Sequence, residues 1–201
     1  ISLAGIFYFR RHSNHFIFMR LLTALFICFF PLISFSQSYN YDELYLPKNE
    51  GKIVYSEVIS ADSKTKEEIY TKSKVWYANN FKSAEAVITF EDQTSGIISG
   101  NGNFIITVPI LGRPTNYYCK FTVRIESRDS RYKYSIQDIS IGGVSDPGTP
   151  IETLFSREWM IKKNGKPVQT SWDLFYGFEK EILALENSLK SLMQVKSSDD
   201  W

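Results

Sequence analysis

A chain of 201 residues, 43% apolar and 22% charged, has the make-up of one globular domain and leaves room for a second only if it is small. A formal net charge of +1 excludes the dense basic footprint that nucleic acid or an anionic membrane surface requires. Phe, Tyr and Trp make up 15% of the residues, with 12 Tyr and 15 Phe, which favours a β-rich core.

Residues 1–36 carry no acidic group. Arg20 is followed by an apolar run from Leu21 to Ile33 and then by Ser34-Phe35-Ser36, whose small residues sit three and one before a cut. This is the pattern of a secretory signal peptide, 1–36, cleaved after Ser36. A membrane anchor is the competing reading; the run is short for a span, Pro31 breaks it and small polar residues close it. Ile27 before Cys28 is too large for a lipid-attachment site. Met19 is the natural start, so residues 1–18 read as an upstream extension of the gene model. From Gln37 onward, without Arg10, Arg11 and Arg20, the chain carries 20 basic against 22 acidic residues, a net charge of −2. Cys119 is then the lone cysteine. It has no partner for an internal disulfide, and its apolar alternating neighbours mark it as a small buried hydrophobe.

Residues 37–50 form a polar, tyrosine-bearing lead-in that ends near Leu46-Pro47. A single domain over 51–195 follows, with 196–201 a polar tail. The first strand is Lys52 to Ser60, with Ile53, Tyr55, Glu57 and Ile59 on one face and Val54, Ser56 and Val58 on the other. Thr65-Lys66-Glu67-Glu68 has the form of a capping box. Ile69, Ser73, Trp76 and Asn80 recur at helical spacing, widened by Tyr70, Tyr77 and Phe81, so Trp76 is expected to anchor this helix on a sheet. Asn79-Asn80 suits a left-handed helix end.

Two β-rich runs come next, Val87 to Glu91 and Phe104 to Ile110, punctuated at Gln93 to Gly96. The Gly96, Gly100 and Gly102 spacing lacks the lysine and the strand-to-helix context of a phosphate loop and reads as a twisted or bulged strand. Leu111 to Asn116 is expected to be a loop, because Gly and Pro interrupt a ladder. Tyr117 to Glu126 alternates, with Cys119, Phe121, Val123 and Ile125 on one face and Lys120, Thr122, Arg124 and Glu126 on the other. A hairpin turn at Ser127 to Ser130 leads into Arg131 to Ile139, where Tyr132, Tyr134 and Ile136 oppose Arg131, Lys133, Ser135 and Gln137. Gly142-Gly143 ends the sheet, and Val144 to Pro150 is loop. Ser156 to Lys162 fits a short helix or strand, and Asn164 to Pro167 a turn. The closing helix, Ser171 to Val195, carries Leu174, Phe178, Ile182, Leu185, Leu189 and Leu192 as one apolar stripe.

The order is β-α-β-β-β-β-α. The economical layout is an α+β fold, an antiparallel five-stranded sheet with both helices on one face, since the other face is already polar. Lys64-x-x-x-x-Ile69-Tyr70, Trp76-x-x-x-x-Phe81 and Ile88-x-x-Glu91-Asp92-x-x-x-Gly96-x-Ile98-x-Gly100-x-Gly102 resemble a bacterial family of exported domains of unknown function with a TBP-like fold. The likeness spans Ile53 to Ile139. It implies a small exported sheet-and-helix domain of a Gram-negative envelope, periplasmic or at the surface, and it brings no catalytic residues.

Both histidines, His12 and His15, precede Met19. The mature chain therefore lacks the Ser-His-Asp and Cys-His constellations and histidine-ligated zinc. Glu91-Asp92 is the most conspicuous acidic pair, but adjacent strand residues point to opposite faces. No catalytic residue, metal or other cofactor is expected. The polar sheet face offers Tyr118, Lys120, Thr122, Arg124, Arg131, Lys133 and Gln137, of which Tyr118, Lys120, Arg124, Arg131 and Lys133 are the ligand-binding candidates. Such a face suits an anionic glycan, lipid head group or protein partner in the envelope; a plain solvated face is the bland alternative. Three functions follow: a non-enzymatic binding or interaction domain, which is the preferred reading; an envelope enzyme working with carboxylate and tyrosine groups; or an assembly component pairing through the closing helix. No nucleic acid and no membrane span after signal cleavage are expected.

Overall fold

A computed structural model describes residues 40–81, 87–144 and 146–194. The signal-peptide reading and the polar tail fall outside these residues, as does any statement about cleavage. No described helix is long and apolar enough to cross a membrane.

The organising helix, α1 (Lys66–Asn80), begins as its residues dictate. The Glu68 N–H donates to Thr65 Oγ1 at 3.2 Å, and the Thr65 N–H donates to Glu68 Oε2 at 2.7 Å. The Lys66 N–H donates to Asp129 Oδ1 at 2.8 Å, which docks this end of the helix on a hairpin turn of the sheet. Ile69, Tyr70, Ser73, Trp76 and Tyr77 form its buried face. The far end differs from expectation. Neither Asn79 nor Asn80 is left-handed; the chain leaves the helix in extended backbone at Phe81, whose N–H still caps the Tyr77 carbonyl.

The sheet contains β3 (Tyr55–Ser60), β4 (Ile88–Asp92), β5 (Ile97–Ile110), β6 (Arg113–Arg128) and β7 (Arg131–Gly142), in the spatial order β3-β7-β6-β5-β4 with every neighbour antiparallel. A short sixth strand, β8 (Thr149–Pro150), pairs with β7 where a loop was expected. The first strand is likewise split: β1 (Lys48–Asn49) and β2 (Lys52–Ile53) form a small hairpin of their own, and Val54 breaks the run before β3. The Val54 N–H turns back to the Pro47 carbonyl at 2.9 Å.

The expected loop at 111–116 is instead a two-residue turn, Leu111–Gly112, both at positive φ, with β6 starting at Arg113. Pro109 and Pro114 face each other beside it. Two prolines tolerate that register because alternate antiparallel pairs exchange no backbone hydrogen bonds, so neither missing N–H is needed there. The alternation of β7 also breaks. Three β7 positions span what two β6 positions span between Lys120↔Ser140 and Thr122↔Gln137, a bulge with Asp138 at φ 54°. Inward residues therefore change from Tyr132, Tyr134 and Ile136 to Ile139 and Ile141.

Two short turns, α2 (Ile151–Leu154) and α3 (Arg157–Met160), precede the closing helix α4 (Gln169–Gln194). The lead-in segment is fastened to these turns. Ile53 N–H donates to Glu152 Oε1 at 2.7 Å, and Arg157 pairs with Asp42 at 3.1 Å. In α4, Leu174, Phe178, Ile182 and Leu189 are buried and Leu185 and Leu192 are half-buried, and the helix lies on its own sheet beside α1. Trp76 Nε1 donates to Ser188 Oγ at 2.8 Å, joining the two helices.

Both helices thus roof one face. Cys119, Phe121, Val123, Ile125, Tyr132 and Tyr134 lie beneath them, and the opposite face is left open. Gly102 permits this closeness: a Cβ there would overlap the Phe121 ring and come within 2.7 Å of Phe81.

Candidate functional site

The β6–β7 register assembles the open face. Arg124 stands opposite Ser135, Glu126 opposite Lys133, and Arg128 opposite Arg131. Side chains at these positions project away from the helices, because the residues between them are buried.

The five candidate residues do not converge on one point. Tyr118 and Lys120 line a shallow depression of about 540 Å³ with Asn101, Asn103, Thr122 and Asp138. Lys120 Nζ donates to the Asp146 carbonyl at 3.0 Å, and Asp138 pairs with Lys52 at 3.2 Å. Arg131 and Lys133 line a second depression of about 330 Å³ with Arg128, Glu126 and Val58. Arg124 lies between the two, held by Glu126 at 2.9 Å. Arg128, Arg131 and Lys133 have no ion-pair partner among the described residues. The second depression is therefore the more strongly cationic. Arg128 and Val58, which were not among the candidates, also belong to it; strand parity alone places both on this face.

The acidic pair does other work. Lys74 lies 2.9 Å from Glu91, and its hydrogen bond holds that carboxyl below the usual range. Asp92 accepts from the Thr94 N–H at 2.9 Å and the Ser95 N–H at 3.3 Å, closing the β4–β5 turn. The two groups address different partners. Cys119 is fully buried, and burial pushes its thiol pKa up, so it is a packed side chain without nucleophilic character.

A row of tyrosine–carboxylate bonds on the roofed side was not foreseen. Tyr55 donates to Glu179 at 2.7 Å and Tyr134 donates to Glu186 at 2.7 Å. Lys190 pairs with Glu57 at 2.7 Å, and this hydrogen bond holds the Glu57 carboxyl low. The spacing of Glu179 and Glu186, seven residues apart beside the apolar stripe of α4, was the available signal. Among the described residues no group of three or more His, Cys, Asp or Glu side chains is arranged to hold a metal ion.

An antiparallel sheet roofed on one face by two helices, in this strand order, defines the class as α+β with a TBP-like fold. Residues 55–141 match the family described as a domain of unknown function (DUF4468) with TBP-like fold. A crystal structure of a DUF4468 family protein from Bacteroides ovatus ATCC 8483 is similar at 14% identity and a TM-score of 0.62, over 76% of this chain and 92% of its own. A TBP-like protein from Parabacteroides distasonis ATCC 8503 is similar at 17% identity and a TM-score of 0.50, over 72% of this chain and 97% of its own. These likenesses establish the fold and carry no function with them. No curated protein matches the chain.

Proposed function

We propose that the protein is exported to the envelope of a Gram-negative bacterium and serves there as a non-enzymatic binding domain. Its open sheet face takes an anionic glycan. One observation carries the binding reading: Arg128, Arg131 and Lys133 surround one depression and form no ion pair among the described residues, the Glu126 carboxylate beside them being held by Arg124. Beside them, Thr122, Ser135, Gln137, Asn101 and Asn103 supply the donors and acceptors that sugar hydroxyls need. The support for export is the pattern of residues 19–36.

A polyuronate column tests the binding. The chain should be retained at low salt and released as salt rises, and Arg131→Glu with Lys133→Glu should flow through. Equal retention of the variant would remove this face from the function. N-terminal sequencing of protein recovered outside the cytoplasm tests export; a start at Gln37 supports it and an intact Ile1 contradicts it.

A further inference from the structure

Like charges directly opposite one another across a ladder are destabilising. Arg128 and Arg131 are such a pair. They close the β6–β7 hairpin across Asp129 and Ser130, so the backbone pins their Cβ atoms about 5 Å apart on the open face. Lys133, two residues further along β7, lies on the same face. All three side chains are exposed, and together they line the depression of about 330 Å³. The nearby carboxylates are engaged elsewhere. Glu126, opposite Lys133, is held by Arg124 at 2.9 Å. Asp129, in the turn itself, accepts the Lys66 N–H at 2.8 Å. Asp62 accepts the hydroxyl of Ser60, the β3 residue opposite Arg131, at 2.6 Å. None of the three cations forms an ion pair among the described residues.

The donors set the shape of the anion. Each guanidinium brings several N–H groups in a rigid fork, and the ammonium brings more that rotate freely. A carboxylate has two oxygens, and one guanidinium satisfies both. Three cations around one hollow call for a further acceptor oxygen. A sulfate or phosphate ester supplies it, with three terminal oxygens about a tetrahedral centre. We infer that this depression binds such an ester carried on a glycan chain. The opposed Arg128 and Arg131 hold the tetrahedral oxyanion, and the bound group relieves their repulsion. Ser135 and Gln137, further along β7 on the same face, meet the sugar hydroxyls. The inference rests on the glycan reading and narrows it from any acidic sugar to an esterified one. A phospholipid head group is the poorer occupant. A bilayer surface calls for apolar anchors beside the cations, and Val58 is the one exposed apolar side chain lining this depression.

Titration calorimetry tests it, on the full chain in the form the cell delivers, with dextran sulfate, dextran phosphate and polygalacturonate matched in length and in charge per sugar. At least one ester should bind about tenfold tighter than the uronate, the worth of one further hydrogen bond between charged groups. Arg128→Gln should bring that ratio close to one. The same variant should melt at a higher temperature in low salt, because the opposition of like charges ends. Anionic phospholipid vesicles of equal phosphate content should not displace the bound ester. Equal or tighter binding of the uronate would overturn this inference and leave the glycan reading standing. Binding of none of the three polymers would remove both. A ratio that survives Arg128→Gln, a lower melting temperature in that variant, or displacement by vesicles would each overturn the inference alone.

Discussion

The Tyr134 hydroxyl donates to Glu186 Oε1 at 2.7 Å, and this bond fastens the middle of β7 to the closing helix. The same hydroxyl lies 3.3 Å from Glu57 on β3, which in turn holds Lys190 on α4. One phenol thus ties two strands and a helix together at the covered side of the sheet. Tyr134→Phe keeps the ring and removes the hydroxyl. The expected loss is about 1–2 kcal/mol, the usual worth of a bond to a charged but partly hydrated acceptor. Urea unfolding measures it, and an unchanged midpoint would show that the bond contributes nothing.

Four tyrosines make the fold sensitive to alkali. The Tyr132 pKa is pushed up to about 12 by burial first and by the nearby Glu57 charge second. Burial also raises those of Tyr55, Tyr77 and Tyr134, to which Glu179 and Glu186 add for Tyr55 and Tyr134 respectively. Because the folded values lie above the ordinary 10.0, the stabilisation is complete below that pH. It is lost as pH rises through the window above it, where the unfolded chain releases protons that the folded chain retains. Tyrosinate absorbance should therefore show a late step that coincides with loss of circular dichroism. A single smooth titration near the ordinary value, with the fold intact, would contradict the burial of these hydroxyls.

Trp76 is the anchor of α1, only 1% exposed and packed edge-on against Tyr77 and Phe81. Trp76→Ala should cost about 3–5 kcal/mol. Trp76→Phe should recover most of this while giving up the bond to Ser188. Thermal or chemical unfolding of the pair separates ring packing from the hydrogen bond.

Gly102→Ala should destabilise by about 1–3 kcal/mol, because the new methyl collides with the Phe121 and Phe81 rings that seat the helix on the sheet. Gly165 is the contrast. Nothing lies within 4 Å of a Cβ there, so Gly165→Ala meets only the strain of φ +79°, about 1 kcal/mol. Equal melting temperatures for Gly102→Ala and the wild type would refute the close contact.

Much of this architecture was readable because its signals are local. Thr65 and Glu68 are three residues apart, and the alternation around Cys119 and Phe121 states which side is covered before any partner strand is known. The features that escaped depend on distant pairing. Pro114 looks like a ladder breaker until Pro109 is found opposite it, in a register where neither N–H is required. The β7 bulge depends on how β6 is aligned, and Asp138 carries no mark of its positive φ beyond being a tolerant residue type. The candidate face shows the same division. Strand parity placed Lys120, Arg124, Arg131 and Lys133 on one side. Their separation into two depressions, with Arg124 spent on Glu126, needed the register and side-chain geometry.

The binding reading turns on the cations of the second depression. The most direct measurement is the salt-dependent retention of the chain on immobilised polyuronate, compared with Arg131→Glu/Lys133→Glu and with Lys162→Glu/Lys163→Glu, an equal change of charge placed near the Asn164–Pro167 turn. The account predicts that only the first double variant loses retention, with both variants folding as the wild type does. Equal losses in the two would show that net charge, and not this face, governs the binding, and that result would contradict the account.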